Sequence, residues 1–220
     1  MAAARDSRPV IVLTGFGPFP GIANNVSAQL VTGIARISAA RFPKKKIIMH
    51  ILPTEWMAAP QQLAALYRAH APILMLHFGV SERAAGFQIE TQACNTQSPT
   101  CDAAGALPGS AVIARAGRDV LLARLPTEAI AARLQDLGIS ARLSRNAGTY
   151  LCNSVFYRTL QWAERTGSQA GFIHIPTRFA PEKFDFDTAV MGGLEIMRTC
   201  LGRPAMRSPK QRSQADRVSS

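Results

Sequence analysis

Residues 73–78 read Ile-Leu-Met-Leu-His-Phe, apolar at every position but His77, and Gly79 follows. A strand with apolar side chains on both sides must be covered on both faces, as happens in sheets whose strands are joined by helices. The remaining periodicity agrees. Strand-like runs at residues 10–13, 46–52, 88–93, 141–143 and 172–175 are spaced by helix-like runs at 26–37, 58–69, 127–137, 154–162 and 188–201. Pro60 is tolerable in the first turn of its helix, and Thr127-Glu128 reads as a cap signal. The last helix is expected despite Gly192-Gly193, and residues 96–117 carry the Ser, Pro and Gly signals of a loop. This order predicts an α/β fold, a three-layer α/β/α sandwich around a mainly parallel twisted sheet. Sites in such sheets gather beyond the carboxyl ends of the strands, which would bring Phe16, Phe19, residues 79–83, Cys152 and His174 to one edge.

At 220 residues the chain is long enough for one sizeable core, and 47% hydrophobic with 18% charged residues is ordinary for an enzyme. The expected division is one α/β domain over residues 1–201 and a basic tail over 202–220, of a composition that favours disorder. No apolar run approaches the ~20 residues of a membrane span, and the basic start leads into too short an apolar stretch for a secretory leader. A cytoplasmic protein is expected, with no membrane partner. The net charge of +11 invites a nucleic-acid reading. Much of it sits in the tail, however, and Arg41, Lys44, Lys45 and Lys46 flank a strand, with no nucleic-acid motif beside them. Specific nucleic-acid binding is not expected. Cys94, Cys101, Cys152 and Cys200 form no C-x-x-C pair, so zinc has little support, and disulfides are not expected in a reducing compartment. Cys94 and Cys200 read as packed thiols and Cys101 as a loop thiol.

The chemistry concentrates in two segments. Asn146-Ala147-Gly148-Thr149-Tyr150-Leu151-Cys152-Asn153 reads as a turn feeding a helix, with Gly148 allowing the bend and Thr149 available as a cap. A cysteine in the first helical turn sits at the positive end of the macrodipole, which favours an anionic sulfur. Gly171-Phe172-Ile173-His174-Ile175-Pro176 reads as a buried strand delivering an imidazole at its end. A thiol attacks a carbonyl well only as thiolate, and a nearby histidine can take its proton. Each residue also has a plainer explanation. Cys152 could be a small apolar residue packed in a helix, and His174 a satisfied core histidine. His50 and His77 lie in similar apolar runs; His77, next to Phe78-Gly79, is the real competitor, while His70 at a helix end is expected to be exposed.

Together these segments resemble the pyroglutamyl peptidase I family, the pyrrolidone-carboxylate peptidases. Two more stretches agree in the same order: Thr14-Gly15-Phe16-Gly17-Pro18-Phe19, and Ile89-Glu90 followed by Ala93-Cys94-Asn95. The resemblance runs from about Val10 to Met197. It implies a cysteine exopeptidase that removes N-terminal pyroglutamate, with Cys152 as nucleophile, His174 as base and Glu90 as the group that orients the imidazole. Phe16, Phe19, Tyr150 and Leu151 match positions lining the ring pocket, and the chemistry needs no metal or organic cofactor. The implied partners are peptides with N-terminal pyroglutamate, and microbial members are often homotetramers. On its own pattern, Gln88-Ile89-Glu90-Thr91-Gln92, Glu90 would be a solvent-facing strand residue, with Glu82 as the competing carboxylate. Asn153 could donate near a developing oxyanion or be a structural amide, and backbone N–H groups at the helix start are the better donors.

Departures lie in the loops. Pro20 stands where the family usually has Gly, and Asn25-Val26-Ser27 lacks its proline. Val80-Ser81-Glu82-Arg83 puts a carboxylate into a loop that tends to Ala-Gly-Gly-Arg, and residues 99–107 hold no clear Arg-x-Pro-Asp-Asn. These differences motivate an alternative: a catalytically altered homologue that binds peptide termini or a partner protein.

Overall fold

The computed structural model describes residues 6–202, so nearly all of the basic tail lies outside the described residues. Thirteen elements follow in chain order: β1 (Val10–Phe16), α1 (Val26–Arg41), β2 (Lys46–Leu52), α2 (Ala58–His70), β3 (Leu74–Val80), β4 (Phe87–Glu90), β5 (Gln92–Cys94), β6 (Val120–Leu122), α3 (Thr127–Asp136), β7 (Ala141–Ser144), α4 (Leu151–Thr166), β8 (Gln169–Ile175) and α5 (Phe186–Cys200). Six strands form one sheet in the order β2-β1-β3-β8-β4-β7. The alternation of each strand sends its side chains to two cores. Leu74, Leu76, Phe78, Phe87, Ile89, Ile173 and Ile175 pack against α1, α3 and α5. Val12, Met75 and Phe172 pack against α2 and α4. The three-layer α/β/α expectation holds.

The sheet is mixed, and this bears on the site. β1, β2, β3 and β8 run parallel. β4 pairs antiparallel with β8, and β7 lies parallel to β4. The carboxyl end of β7 therefore does not share the edge where β1, β3 and β8 end, which corrects the expected route to Cys152. Residues 145–150 turn back after β7, and Gly148 at φ +78° takes the left-handed backbone that this reversal needs.

The run expected as one strand over 88–93 is divided between two sheets. After Glu90 the chain leaves the large sheet, and β5 pairs antiparallel with β6 in a two-stranded ribbon. Two cap expectations also change. Pro126 and Tyr150, not Thr127 and Thr149, precede α3 and α4, and neither helix has a side-chain cap. Pro60 falls in the first turn of α2 as expected, and α5 begins at Phe186 behind an Asp185 cap that accepts from Thr188 N at 2.8 Å. The glycine pair in α5 has a packing reason: a methyl at Gly193 would overlap Ile34 of α1, and one at Gly192 would overlap Phe87 of β4. His70 is half-buried, not exposed.

Candidate active site

Phe172 and His174 alternate onto the α4 side of β8, while Ile173 and Ile175 face the other way. On the antiparallel neighbour β4, Gln88 sits opposite His174 and Glu90 opposite Phe172. Glu90 and His174 are thus diagonal partners on one face, within reach of each other across two strands. His174 Nδ1 donates to Glu90 Oε1 at 2.8 Å, with both side chains buried. Using Nδ1 on the carboxylate leaves Nε2 for the thiol side, where Cys152, in the first turn of α4, stands against Gly79, the β3 residue paired with His174. Gly79, at the end of β3, makes room for this meeting. A Cβ there would lie 3.0 Å from Cys152 Sγ and 2.8 Å from the Phe172 ring.

Burial alone would push the His174 imidazole down, but its hydrogen bonds to Cys152 and Glu90, and their charges, lift it to about 9. Burial alone would raise the Glu90 carboxyl; His174, Ser144 and Gln88 around it hold it below the ordinary glutamate value. The solvent-facing alternative for Glu90 fails, because the residue is fully buried. Glu82, the competing carboxylate, is exposed on the loop after β3.

His77 is a different kind of histidine. Tyr67 donates to Thr159 Oγ1 at 2.7 Å, and Thr159 donates onward to the Val155 carbonyl. His77 Nε2 must then be the donor to Thr159, at 2.8 Å, and Nδ1 accepts from Thr14 at 2.6 Å. Complete burial drives this imidazole down to about 3, so it is a neutral, fully satisfied core residue.

Cys152 and His174 open on a cleft of about 470 Å³ whose walls include Phe16, Phe19, Tyr150 and Leu151. The four residues expected to line a ring pocket are therefore brought together. Tyr150 packs edge-on to Trp56 at 5.1 Å and near Phe19 at 6.3 Å, and its hydroxyl donates to the Cys101 carbonyl. Asn153 does not point into the cleft chemistry. Its side chain accepts from Cys94 N and donates to the Cys94 and Thr96 carbonyls, tying β5 to α4. The first turn of α4 carries no side-chain cap, which leaves N–H groups next to Cys152 without an intrahelical acceptor. Cys101 is exposed, Cys94 half-buried, and Cys200 is buried with its thiol pushed up to about 12.

Sequence inspection misses several contributors. Asn25 and Thr54 both donate to the Gly17 carbonyl, at 3.0 Å each, and so hold the turn carrying Phe16 and Phe19. Asn25 also caps α1 through Ser27 N, a signal that an Asn before an apolar-periodic run does carry. Asp102 accepts from Trp56 N, Ala104 N and Ala106 N and fixes the loop beneath Tyr150. Among the described residues no group of three His, Cys, Asp or Glu is placed to hold a metal ion, and no helix is long and apolar enough to cross a membrane.

A family model described as pyroglutamyl peptidase matches residues 9–191. The chain belongs to the pyroglutamyl peptidase family. It is 32% identical over 200 residues to a pyrrolidone-carboxylate peptidase of Vibrio vulnificus, covering 87% of this chain and 92% of that one. It is 32% identical over 177 residues to a pyrrolidone-carboxylate peptidase of Cupriavidus pinatubonensis, covering 79% and 80%. Among solved structures it is similar to pyroglutamyl peptidase I of Bacillus amyloliquefaciens, with a TM-score of 0.78 at 25% identity over 89% of this chain and 98% of that one. The pyrrolidone carboxyl peptidase of Fervidobacterium islandicum superposes with a TM-score of 0.77 at 29% identity, over 86% and 97%.

Proposed function

We propose that this chain is a cysteine exopeptidase, a pyroglutamyl-peptidase I-like hydrolase that cleaves the amide bond after an N-terminal pyroglutamyl residue. The observation that carries it is the line Cys152–His174–Glu90 at the mouth of an aromatic-walled cleft, in a chain of the pyroglutamyl peptidase family. His174, held by Glu90, takes the thiol proton of Cys152. The sulfur attacks the pyroglutamyl carbonyl carbon, and first-turn N–H groups of α4 receive the charge that develops on its oxygen. His174, lifted to about 9 by its two partners, then hands the proton to the departing amine. Water, relieved of a proton by the same imidazole, opens the thioester and releases pyroglutamate.

A lactam is small, flat and uncharged, so an apolar wall with a few backbone hydrogen bonds suits it. A free amino terminus would arrive charged and lose hydration against Phe16, Phe19 and Leu151 without a paired carboxylate among them. The proposal includes a single catalytic domain over residues 1–201, a cytoplasmic setting and self-association, with a tetramer drawn from family resemblance. Release of amine from pyroglutamyl, prolyl and glutaminyl reporters tests it. Turnover should be confined to the pyroglutamyl reporter and fall by several orders of magnitude in Cys152→Ala. Wild-type turnover in that variant removes the nucleophile assignment, and covalent labelling of Cys152 by a pyroglutamyl aldehyde without any turnover replaces the peptidase by a binder of peptide termini.

A further inference from the structure

Glu90 Oε1 takes two hydrogen bonds, from His174 Nδ1 at 2.8 Å and from Gln88 Nε2 at 2.7 Å. Glu90 Oε2 is buried and has no hydrogen-bond partner among the described residues. Gln88 is itself buried, and its other amide atom, Oε1, accepts from Arg142 Nη2 at 2.5 Å. The same Nη2 donates to the Arg83 carbonyl at 2.8 Å. Gln88 and Arg83 both line the cleft that holds Cys152 and His174.

We infer that Gln88 and Arg142 are positioning residues for the Glu90–His174 pair, Arg142 acting on the carboxylate through an amide that it holds in one orientation. This rests on the proposed roles of Cys152, His174 and Glu90. The two ends of a glutamine amide have nearly the same shape, and only the partners decide which way it points. Here one neighbour can only donate and the other, ionised, can only accept. The guanidinium fixes Oε1 on its own side, so Nε2 must face Glu90. A flipped amide would set Oε1 against Glu90 Oε1 and leave Nε2 facing a cation.

The arrangement has a chemical use. His174 gains and loses a proton on Nε2 during turnover, while its hold on Glu90 has to persist in both states. A buried carboxylate that depended on His174 alone would be drawn to pick up a proton whenever that bond loosened. Gln88, beside the Ser144 hydroxyl, supplies a donor that does not change with the protonation of His174, and Arg142 keeps that amide turned with its N–H toward the carboxylate. The titratable and charged groups around Glu90 are His174 from β8, Cys152 from α4 beyond the imidazole, and Arg142 from β7 beyond Gln88. Arg142 also ties the β3–β4 loop to this pair through the Arg83 carbonyl, so the wall of the cleft and the orienting carboxylate share one anchor.

The test uses the full chain and the variants Gln88→Leu, Arg142→Leu and Arg142→Lys, with two readouts. The first is the side-chain carboxyl titration of Glu90 by carbon NMR, assigned against Glu90→Gln, which needs no turnover. Its midpoint should rise by about one pH unit in Gln88→Leu and Arg142→Leu, and Arg142→Lys, which keeps a donor for Gln88 Oε1, should lie near wild type. The second is the pH profile on a pyroglutamyl reporter. The acid limb should move upward in the two leucine variants, with kcat lowered roughly tenfold or more and KM little changed. Titration and acid limb at wild-type positions in both leucine variants would overturn the inference. Equal loss of kcat and of folded protein with an unmoved Glu90 midpoint would reduce the pair to packing, which also overturns it. Failure of the peptidase proposal itself has a separate signature, the absence of Cys152-dependent turnover in the wild-type chain, and leaves the titration readout in force.

Discussion

At the scale of single residues, two buried histidines with opposite surroundings divide structure from chemistry. His77 is closed on both ring nitrogens by Thr14 and Thr159, whereas His174 has one nitrogen on a carboxylate and the other toward a thiol. His174→Ala should lower pyroglutamyl turnover per folded molecule on the order of 10²–10⁴-fold, the usual share of proton-transfer assistance, on top of the stability lost when the buried Glu90 carboxylate is left without its imidazole. His77→Ala should spare the chemistry, destabilising by about 2–4 kcal/mol by leaving a cavity and the Thr14 hydroxyl without its partner, while turnover per folded molecule stays near wild type. Urea unfolding and active-site-titrated kinetics on both variants check this, and the opposite pattern would exchange their assignments. Cys152 and His174 stand out in the sequence because a glycine turn and an apolar run frame them. Glu90 does not, because alternation tells which side chains share a face but not what covers that face. Gln88 and Arg142 are less legible still, since they meet only through the pairing of β4 with both β8 and β7.

At the scale of elements, the end of β3 and the start of α4 are fitted to each other. The helix begins without a side-chain cap, and the strand offers Gly79 where any larger residue would press on the sulfur. Gly79→Ala should therefore cost turnover roughly 10²-fold by displacing the sulfur, more than a structural cost of about 1–3 kcal/mol would explain. The check is kcat/KM per titrated thiol beside the melting temperature; loss of stability alone would place the strain on Phe172 instead. Periodicity locates most of these elements, because strands covered on both faces and amphipathic helices write themselves into the pattern. Direction is another matter. Nothing in residues 87–90 distinguishes a parallel from an antiparallel partner, and β6, three residues with Val120 and Leu122 exposed, buries too little to leave a trace. Thr127 and Thr149 carry the right chemistry for caps, yet the helices start one residue away from where each could serve.

At the scale of the whole molecule, the two histidines give the stability a predicted shape in pH. His77, depressed to about 3 in the fold against an ordinary value of 6.5, binds a proton more readily when unfolded. Its contribution is present above about 6.5 and is lost as pH falls toward 3. His174, raised from 6.5 to about 9, binds its proton more readily when folded. Its contribution is full below 6.5 and is lost as pH rises through 9. Glu90, held below 4.5, adds to the loss on the acid side. Unfolding free energy measured by urea titration should thus peak near pH 6.5, and Cys152→Ala should flatten the alkaline limb, because the sulfur is the first support of the raised imidazole. An alkaline limb of undiminished steepness in that variant would assign it to other groups. A last consequence concerns the ladder that joins β4 to β8. Side chains on a strand alternate sides, so a slip of one residue between these two would swing Glu90 and Gln88 away from His174 and into the layer of α1 and α5. A misthreaded sheet would keep its bulk and its helices yet be chemically mute, which makes catalytic competence after refolding a direct readout of whether the chain found its proper alignment.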